Sequence, residues 1–288
     1  MITVSGLQTA LLDLLYELQG TDVKLIIGGG FGIYLKTDHV LRMEVRTLFR
    51  QWPEPRSTND LDLFLRPELL IEPAKLKPLA EAITRLGYKV VKGAEKYQFV
   101  KPGQGGAVAG SIKIDILTGP QNRFEGTSVR ADARRARPNP SIGIHAHPVD
   151  EALTLEEGLL PVSFDGKLGT GESWHAEVFL PHPYTFLMMK LFAFRDRLND
   201  TDKEFGRYHA LDLYTIMATI TENEWEQALE LHDQYSDEPY IREAGRLVAK
   251  LFSSLDRLGM IRLRESRYYR HELQIDEFMS ALHELFPE

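Results

Sequence analysis

A glycine-rich turn that follows a short apolar run is the feature that most restricts how this chain can fold. Val23–Ile27 is largely apolar and β-branched, which predicts a buried strand. Glycines at residues 28, 29, 30 and 32 come next and allow a tight turn into a helix that we expect to continue to about Phe49. Backbone amides at such a turn can approach phosphate oxygens, and the helix dipole favours the anion. The turn therefore predicts a phosphate contact through Gly28, Gly29 and Gly30.

Two aspartates on one predicted strand form the second feature. Residues 60–65 read DLDLFL and alternate polar with apolar side chains, as a half-buried strand does. Asp60 and Asp62 thus share one face, roughly 6 to 7 Å apart along the strand. Carboxylates are the ligands that hard ions such as Mg²⁺ prefer. Arg56 and Thr58 lie just before the pair and are placed to donate hydrogen bonds to the same phosphates.

A third aspartate lies on a later predicted strand. The segment Ser111–Leu117 alternates isoleucines with Lys113 and Asp115, so one face is apolar and the other displays a carboxylate. We expect Asp115 to join Asp60 and Asp62 as a ligand of Mg²⁺ and to act on an attacking hydroxyl.

The composition excludes several classes of protein. The chain contains no cysteine, which excludes disulfides, thiolate zinc sites and cysteine nucleophiles. Its formal net charge of -8 argues against a protein that coats nucleic acid through bulk charge. No segment approaches the roughly 20 apolar residues of a membrane span. We therefore expect a cytoplasmic protein with no membrane partner.

The distribution of these patterns predicts an α+β fold in two domains. Strand-like segments concentrate before residue 180, whereas helical spacing continues from there to the C-terminus. We predict an N-terminal domain over residues 1–180, with a mixed β-sheet flanked by helices. A helical C-terminal domain over residues 181–288 would complete the active-site cleft.

The order of the motifs resembles that of a known superfamily. A strand, a glycine turn, a helix, the run R-S-T-N-D-L-D and a distant I-D-I strand resemble the polymerase-beta-type nucleotidyltransferases. Within that superfamily the chain most resembles the AbiEii/AbiGii-toxin-like family, from about Leu25 to Met217. The resemblance implies Mg²⁺-dependent transfer of a nucleoside monophosphate from an NTP to an acceptor hydroxyl. Because the family turn begins with two glycines, it also favours Gly29 and Gly30 over Gly28 as phosphate contacts.

The helical half contains counterparts of two further family motifs. Lys190 lies in FLMMKLFAFRDR, and Asp212 lies in RYHALDLYTIM. By resemblance, Lys190 would bind the triphosphate as a point charge, and Asp212 would orient Lys190 or the nucleotide. The predicted catalytic residues are therefore Asp60, Asp62, Asp115, Lys190 and Asp212.

Two arginine clusters interrupt the acidic chain. They comprise Arg130, Arg134, Arg135 and Arg137, and then Arg262, Arg264, Arg267 and Arg270, with Tyr268 and Tyr269 among the second group. Either they are solvated surface or they grip an RNA backbone and stack on exposed bases. The resemblance implies an RNA acceptor, in particular the 3′ end of tRNA. It also implies a toxin of a toxin–antitoxin or phage-defence system, restrained by a cognate antitoxin protein.

Other functions remain open at the level of sequence. One is a small-molecule transferase of the aminoglycoside-modifying type, and another is a catalytically silent nucleotide-binding protein. A dinucleotide fingerprint is excluded because Ile33 and Leu35 stand where it needs glycine, and a P-loop is excluded because Leu168 follows Lys167. The histidines at residues 145, 147 and 182 lack the context of a zinc site and are expected to be structural or surface residues.

Overall fold

The structure is a computed structural model that describes residues 4–54, 60–94, 96–103 and 110–288, apart from the side chain of Phe205. Two compact units make up the chain. The first, here called the sheet unit, comprises Met1–Gly32, Ser57–Asp150 and Leu159–Leu180; the second, the helical unit, comprises Ile33–Arg56, Glu151–Gly158 and Pro181–Glu288. The chain thus passes between the units more than once, and residue 180 marks only the last of these passages.

Ten strands occur in the described part of the sheet unit. They are β1 Ile26–Ile27, β2 Asp60–Leu65, β3 Lys89–Val90, β4 Gln98–Lys101, β5 Ile112–Thr118, β6 Arg130–Asp132, β7 Arg135–Arg137, β8 His147–Pro148, β9 Leu160–Lys167 and β10 Ser173–Leu180. Eight of them form one mixed sheet in the order β3-β4-β5-β2-β1-β10-β9, with β8 paired to β5, while β6 and β7 form a separate hairpin. The predicted mixed sheet is therefore confirmed.

Strand pairing at the centre of the sheet determines which face the polar residues of β2 and β5 occupy. β2 pairs in parallel with β5 and antiparallel with β1, and β1 pairs in parallel with β10. Leu61 and Leu63 on β2, like Ile114 and Ile116 on β5, are completely buried. Since side chains alternate between the two faces of a strand, the intervening polar residues point to the opposite face.

Helices occur in both units and make up most of the helical unit. In chain order they are α1 Val4–Glu17, α2 Gly29–Met43, α3 Pro67–Ile71, α4 Pro73–Arg85, α5 Pro183–Asp196, α6 Lys203–Ala218, α7 Glu222–Tyr235, α8 Pro239–Phe252, α9 Leu258–Arg264 and α10 Ile275–Leu285. Helix α1 packs on β9 and β10. The α+β class predicted from the sequence is confirmed. No helix in the described ranges combines the length and the apolar character that crossing a membrane requires.

The core of the helical unit is built around α5. Nearly every residue of this helix is buried, because apolar side chains occupy all of its faces. Aromatic rings join α5 to α8, because the ring centroid of Phe194 lies 5.5 Å from that of Phe252. Tyr214 on α6 and Phe278 on α10 form another ring pair of this unit, with centroids 5.4 Å apart. A polar residue on α5 must therefore find its partner inside the protein.

The predicted end of α2 is wrong. The helix stops at Met43, not near Phe49. Glu44 follows with a φ of 52°, in the left-handed region that ends a helix. The amides of Leu48 and Phe49 then donate to the carbonyls of Ile220 and Ala218 at 2.7 and 3.3 Å. This segment is held by tertiary hydrogen bonds that helical periodicity does not reveal.

Candidate active site

The three predicted aspartates lie together on adjacent strands of the sheet unit. In the parallel register of β2 and β5, Asp62 is directly opposite Asp115, and Asp60 is opposite Lys113. All four side chains point to one face of the sheet, because each strand places residues i and i+2 on the same side. On the next strand, Gln98 stands opposite Asp115. We call Asp60, Asp62 and Asp115 the carboxylate row.

Electrostatic repulsion is evident within the carboxylate row. The pKa of Asp115 is raised to about 7, first by burial and then by the charges of Asp62 and Asp60. Lys113 and a hydrogen bond from Gln98 act in the opposite direction. Within the described residues, Oδ1 of Asp115 is buried and has no hydrogen-bond partner. Burial and the neighbouring carboxylates therefore both disfavour the ionised form of Asp115.

The donor chemistry of the row fits a divalent cation that the substrate helps to hold. No group of three His, Cys, Asp or Glu side chains among the described residues is arranged to hold a metal ion unaided. Mg²⁺, however, is usually bound by one or two carboxylates, with waters and substrate phosphates completing its shell. The unpartnered Oδ1 of Asp115 and the mutual repulsion of the carboxylates match that kind of incomplete site.

The glycine turn lies directly against the carboxylate row. The amide of Gly28 donates to the carbonyl of Asp62 at 2.8 Å. A Cβ on Gly28 would meet the Phe64 ring at 2.5 Å, and one on Gly29 would meet Oδ2 of Asp62 at 1.5 Å. Gly29 also has a φ of +61°. A side chain at either position would therefore force Phe64 or Asp62 on β2 to move.

The start of α2 provides the polar groups of the turn. The helix begins at Gly29, and Gly30 is buried in its first turn. The first amides of a helix have no acceptor within it, so they are available to an anion. Arg56 and Thr58, which the sequence predicts as additional phosphate contacts, lie outside the described residues.

Lys190 and Asp212 form a buried ion pair in the helical unit. Nζ of Lys190 on α5 lies 2.8 Å from Oδ2 of Asp212 on α6, and the two side chains are only 9% and 4% exposed. Lys190 is therefore not a surface lysine that extends into solvent. The structure joins the two residues that the resemblance links, while their role with a nucleotide stays a prediction.

The first arginine cluster forms the β6–β7 hairpin. Oδ1 of Asp132 accepts hydrogen bonds from the amides of Arg134 and Arg135 at 2.9 and 3.0 Å and fixes the turn. Arg137 pairs with Asp132 at 2.7 Å. Arg130 and Arg134 are exposed. Of the four predicted RNA-binding arginines in this cluster, Arg130 and Arg134 are thus the most exposed to solvent.

Arginines of the second cluster make ion pairs and hydrogen bonds within the helical unit. Arg262 pairs with Glu265 at 2.6 Å, and the guanidinium of Arg264 donates to the carbonyl of Leu255. Arg267 lies 4.8 Å above the ring of Tyr268, and Arg270 donates to backbone carbonyls at 2.9 and 3.2 Å. Arg264, Arg267 and Arg270 remain exposed. They are the members of this cluster best placed to contact a partner.

Sequence patterns did not identify a second buried ionic group. Lys36 on α2 pairs with Glu224 on α7, with side chains 8% and 11% exposed. Glu224 also accepts from the amide of Thr221, as the third helical residue of a capping box. The T-x-x-E spacing of residues 221–224 was the available signal, but it indicates only a helix start. The pairing with Lys36 depends on tertiary structure.

Comparison with known proteins identifies no family for this chain and a weak structural similarity. No protein-family model matches the sequence, and no curated protein matches it. Among solved structures, the chain is similar to the antibiotic-resistance factor ANT(2'')-Ia, with 14% sequence identity and a TM-score of 0.33, over 81% of this chain and 100% of that one. A similarity at this level does not establish a function.

Proposed function

We propose that this protein is a nucleotidyltransferase that moves a nucleoside monophosphate from an NTP to an acceptor hydroxyl and releases pyrophosphate. The observation that carries the proposal is the register of β2 and β5, which sets Asp62 opposite Asp115 and Asp60 one step along the same face. The glycine turn lies against the same row through Gly29. Carboxylates and helix-start amides are the groups that a metal-bound triphosphate requires.

The chemical step forms one bond and breaks another. The acceptor oxygen bonds to the α-phosphorus, the bond from that phosphorus to the oxygen bridging to the β-phosphorus breaks, and pyrophosphate leaves with the electron pair. The hydroxyl proton passes to a carboxylate of the row, and we assign Asp115 to this role. Bound Mg²⁺ would neutralise charge on the triphosphate and ease deprotonation of the acceptor.

The residues of the chain act mainly by positioning and by electrostatics. Asp60 and Asp62, with Asp115, would hold the cation, and the amides of Gly29 and Gly30 would bind the phosphates. The dipole of α2 favours an anion at this end of the helix. Lys190 and Asp212 would contribute to triphosphate binding by resemblance to the AbiEii/AbiGii-toxin-like family.

For the acceptor we propose RNA, with the 3′ end of tRNA as the candidate that the resemblance favours. The support from the structure is the exposure of Arg130, Arg134, Arg267 and Arg270 in a chain of net charge -8. Arginine beside an aromatic ring, as at Arg267 and Tyr268, suits contact with unpaired nucleotides. In this proposal the protein acts as a toxin or phage-defence component that an antitoxin protein restrains.

A small hydroxylated molecule is the second candidate acceptor. Carboxylates already neutralise Arg137 and Arg262, which reduces the positive charge available to an RNA backbone. A small acceptor would not need the exposed arginines. A catalytically silent nucleotide-binding protein is the third reading, and it predicts that Asp60→Ala leaves any cellular phenotype intact.

The acceptor can be identified by following a label. The purified protein is incubated with Mg²⁺, each α-labelled NTP, and either total RNA or a panel of aminoglycosides. Our proposal expects label in RNA from one preferred NTP. Label only in a small molecule would replace the RNA proposal, and label in neither would count against transferase activity.

Arginine variants provide a second, independent readout. Arg267→Gln with Arg270→Gln should weaken RNA binding and reduce the slope of log affinity against log salt by about 0.7 for each lost phosphate contact. The control is Arg242→Gln with Arg246→Gln, which removes two exposed charges from α8. Equal effects of the two double variants would indicate only a general response to net charge.

A further inference from the structure

A groove in the helical unit combines an apolar floor with an acidic rim. Its volume is about 400 Å³, and it is open to solvent. Leu48, Phe49, Trp225 and Ala281 form the apolar part, and Asp276, Glu277 and Glu284 contribute carboxylates. All three carboxylates come from α10, on the side of the helix that also presents Ala281. We call this feature the acidic groove.

The residues that precede Leu48 in the chain are unusually apolar for a surface. Seven large apolar side chains are exposed in the part of the chain that the structure describes, and four of them lie between residues 41 and 48. Leu41 and Met43 are each 59% exposed, Val45 is 41% exposed, and Leu48 is 37% exposed. Concentrated exposure of apolar side chains marks surfaces that contact another molecule.

One carboxylate of the acidic groove, that of Glu284, lies where it does not stabilise its own helix. Asp276 and Glu277 lie in the first turn of α10, where the helix dipole favours negative charge. Glu284 lies in the last turn, where the dipole disfavours it. Among the ion pairs between described residues, none includes Asp276, Glu277 or Glu284. Glu277 accepts a hydrogen bond from Nε2 of Gln274 at 3.4 Å, but this amide is neutral. The three carboxylate charges of the rim are therefore not neutralised by an ion pair within the described residues.

We propose that the acidic groove is a docking site for a basic amphipathic helix of a partner protein. Apolar side chains on one face of that helix would cover Leu48 and Trp225, and lysines or arginines beside them would pair with Glu277 and Glu284. An amphipathic helix laid in a groove with apolar anchors is a common mode of peptide recognition. Charge complementarity selects the basic partner and speeds its association. This proposal does not depend on the proposed transferase activity.

The same charges disfavour other occupants. A nucleic-acid backbone would be repelled by the three carboxylates. A second copy of this chain offers a basic helix in α8, with Arg242, Arg246 and Lys250 at intervals of four residues. The apolar face of α8, including Leu247 and Val248, is already buried in the core of its own unit. It is therefore not free to fill the groove of another copy.

The test uses a defined peptide with the full-length protein. A labelled peptide of about 18 residues, long enough for ~27 Å of helix, carries leucine along one face and lysine elsewhere. A scrambled peptide of identical composition is the comparison. Anisotropy measures affinity for the wild type, for Glu277→Lys with Glu284→Lys, and for Leu48→Ser. The matched control is Glu172→Lys with Glu177→Lys, which reverses two exposed charges on the sheet unit.

We expect the amphipathic peptide to bind at least about tenfold more tightly than the scrambled one, a difference of about 1.4 kcal/mol. The Glu277/Glu284 double reversal and Leu48→Ser should each remove most of that difference, while the control reversal keeps it. The proposal is overturned if both peptides bind alike, or if the control reversal weakens binding as much as the reversal in the groove. It is also overturned if light scattering shows a dimer that Leu48→Ser dissociates, because the occupant would then be a second copy. Thermal melts establish that each variant is folded.

Discussion

The carboxylate of Asp62 occupies the space that a side chain at Gly29 would need. A Cβ on residue 29 would stand 1.5 Å from Oδ2 of Asp62 and 2.6 Å from its Cγ. The backbone of Gly29 adds a second restriction with its φ of +61°. The glycine turn and the aspartate strand therefore form one packed feature, in which each constrains the other.

The first prediction concerns Gly29→Ala. The new methyl group must displace the Asp62 carboxylate or the start of α2, so we expect transferase activity to fall by about 10²-fold or more. Gly87→Ala is the matched control, because its φ is +80° but nothing lies within 4 Å of the added Cβ. Both variants should lose about 1–2 kcal/mol of stability from backbone strain. If Gly29→Ala were as active as Gly87→Ala, the close packing of residue 29 against Asp62 would not affect transferase activity.

The second prediction is that Asp115→Asn stabilises the protein in the absence of divalent ions while abolishing transfer. Burial and the neighbouring charges of Asp62 and Asp60 disfavour the ionised Asp115 carboxylate. Removing that charge should raise the free energy of unfolding at pH 8 by about 1–3 kcal/mol. Chemical denaturation in chelator measures the change, with exposed Asp22→Asn as a control expected to stay near zero. A loss of stability in Asp115→Asn would contradict the account of repulsion within the row.

The third prediction concerns the Lys190–Asp212 ion pair. Lys190→Met leaves Asp212 buried without its cation, which should cost about 3–5 kcal/mol. The double variant Lys190→Met with Asp212→Asn should cost less than the sum of the two single changes. Lys75→Met is the control, since the Lys75–Glu72 pair is exposed and should contribute little. Denaturant unfolding of the four variants measures the coupling free energy between Lys190 and Asp212. If the costs of the two single changes simply added in the double variant, the two residues would not interact.

The fourth prediction is a pH dependence caused by His182. Burial lowers the pKa of this imidazole to about 4, and the charge of Lys36 acts in the same direction while Glu224 opposes it. Between the ordinary value of 6.5 and about 4, the unfolded chain binds a proton that the folded protein does not bind. The stability that His182 provides is therefore present above pH 6.5 and is lost as the pH falls through 4.

His182→Asn tests this dependence without removing the helix cap. His182 caps α5 by accepting a hydrogen bond from the amide of Tyr184 at 3.2 Å, and asparagine can accept in its place. The variant should reduce the dependence of stability on pH in this interval by up to about 1.4 kcal/mol per pH unit. The matched control is His271→Asn, which replaces an exposed imidazole in the same unit and should leave the dependence nearly unchanged. An identical slope in wild type and His182→Asn would mean that His182 titrates normally.

Local sequence predicts the strand that carries Asp60 and Asp62, but not the way that this strand pairs with its neighbours. The alternation of polar and apolar residues from Asp60 to Leu63 is a local signal, and it predicts strand β2 with its observed limits, Asp60–Leu65. Alternation likewise placed Asp115 on a polar face. The pairing of Asp62 with Asp115 required the parallel register of two strands separated by about fifty residues, which no local pattern records.

The structural features that sequence patterns do not predict depend on tertiary interactions. The β9–β10 hairpin was not predicted, although Val162 and Phe164 alternate with exposed residues in β9. Pairing of Ile26 with Phe179 brings this hairpin into the main sheet. Lys190 was expected in a helix, but its burial against Asp212 depends on how α5 and α6 pack. Propensity and periodicity carry no information about such contacts.

The most direct test of the central claim is the rate of label transfer by variants of the carboxylate row. Wild type, Asp60→Asn, Asp62→Asn, Asp115→Asn and the control Asp22→Asn are compared with Mg²⁺, an α-labelled NTP and the preferred acceptor, and pyrophosphate release is measured in parallel. We predict transfer and pyrophosphate release in equal amounts by wild type and control, and a loss of about 10³-fold or more in each row variant. Transfer at the wild-type rate by all three row variants would show that the reaction does not occur at these aspartates.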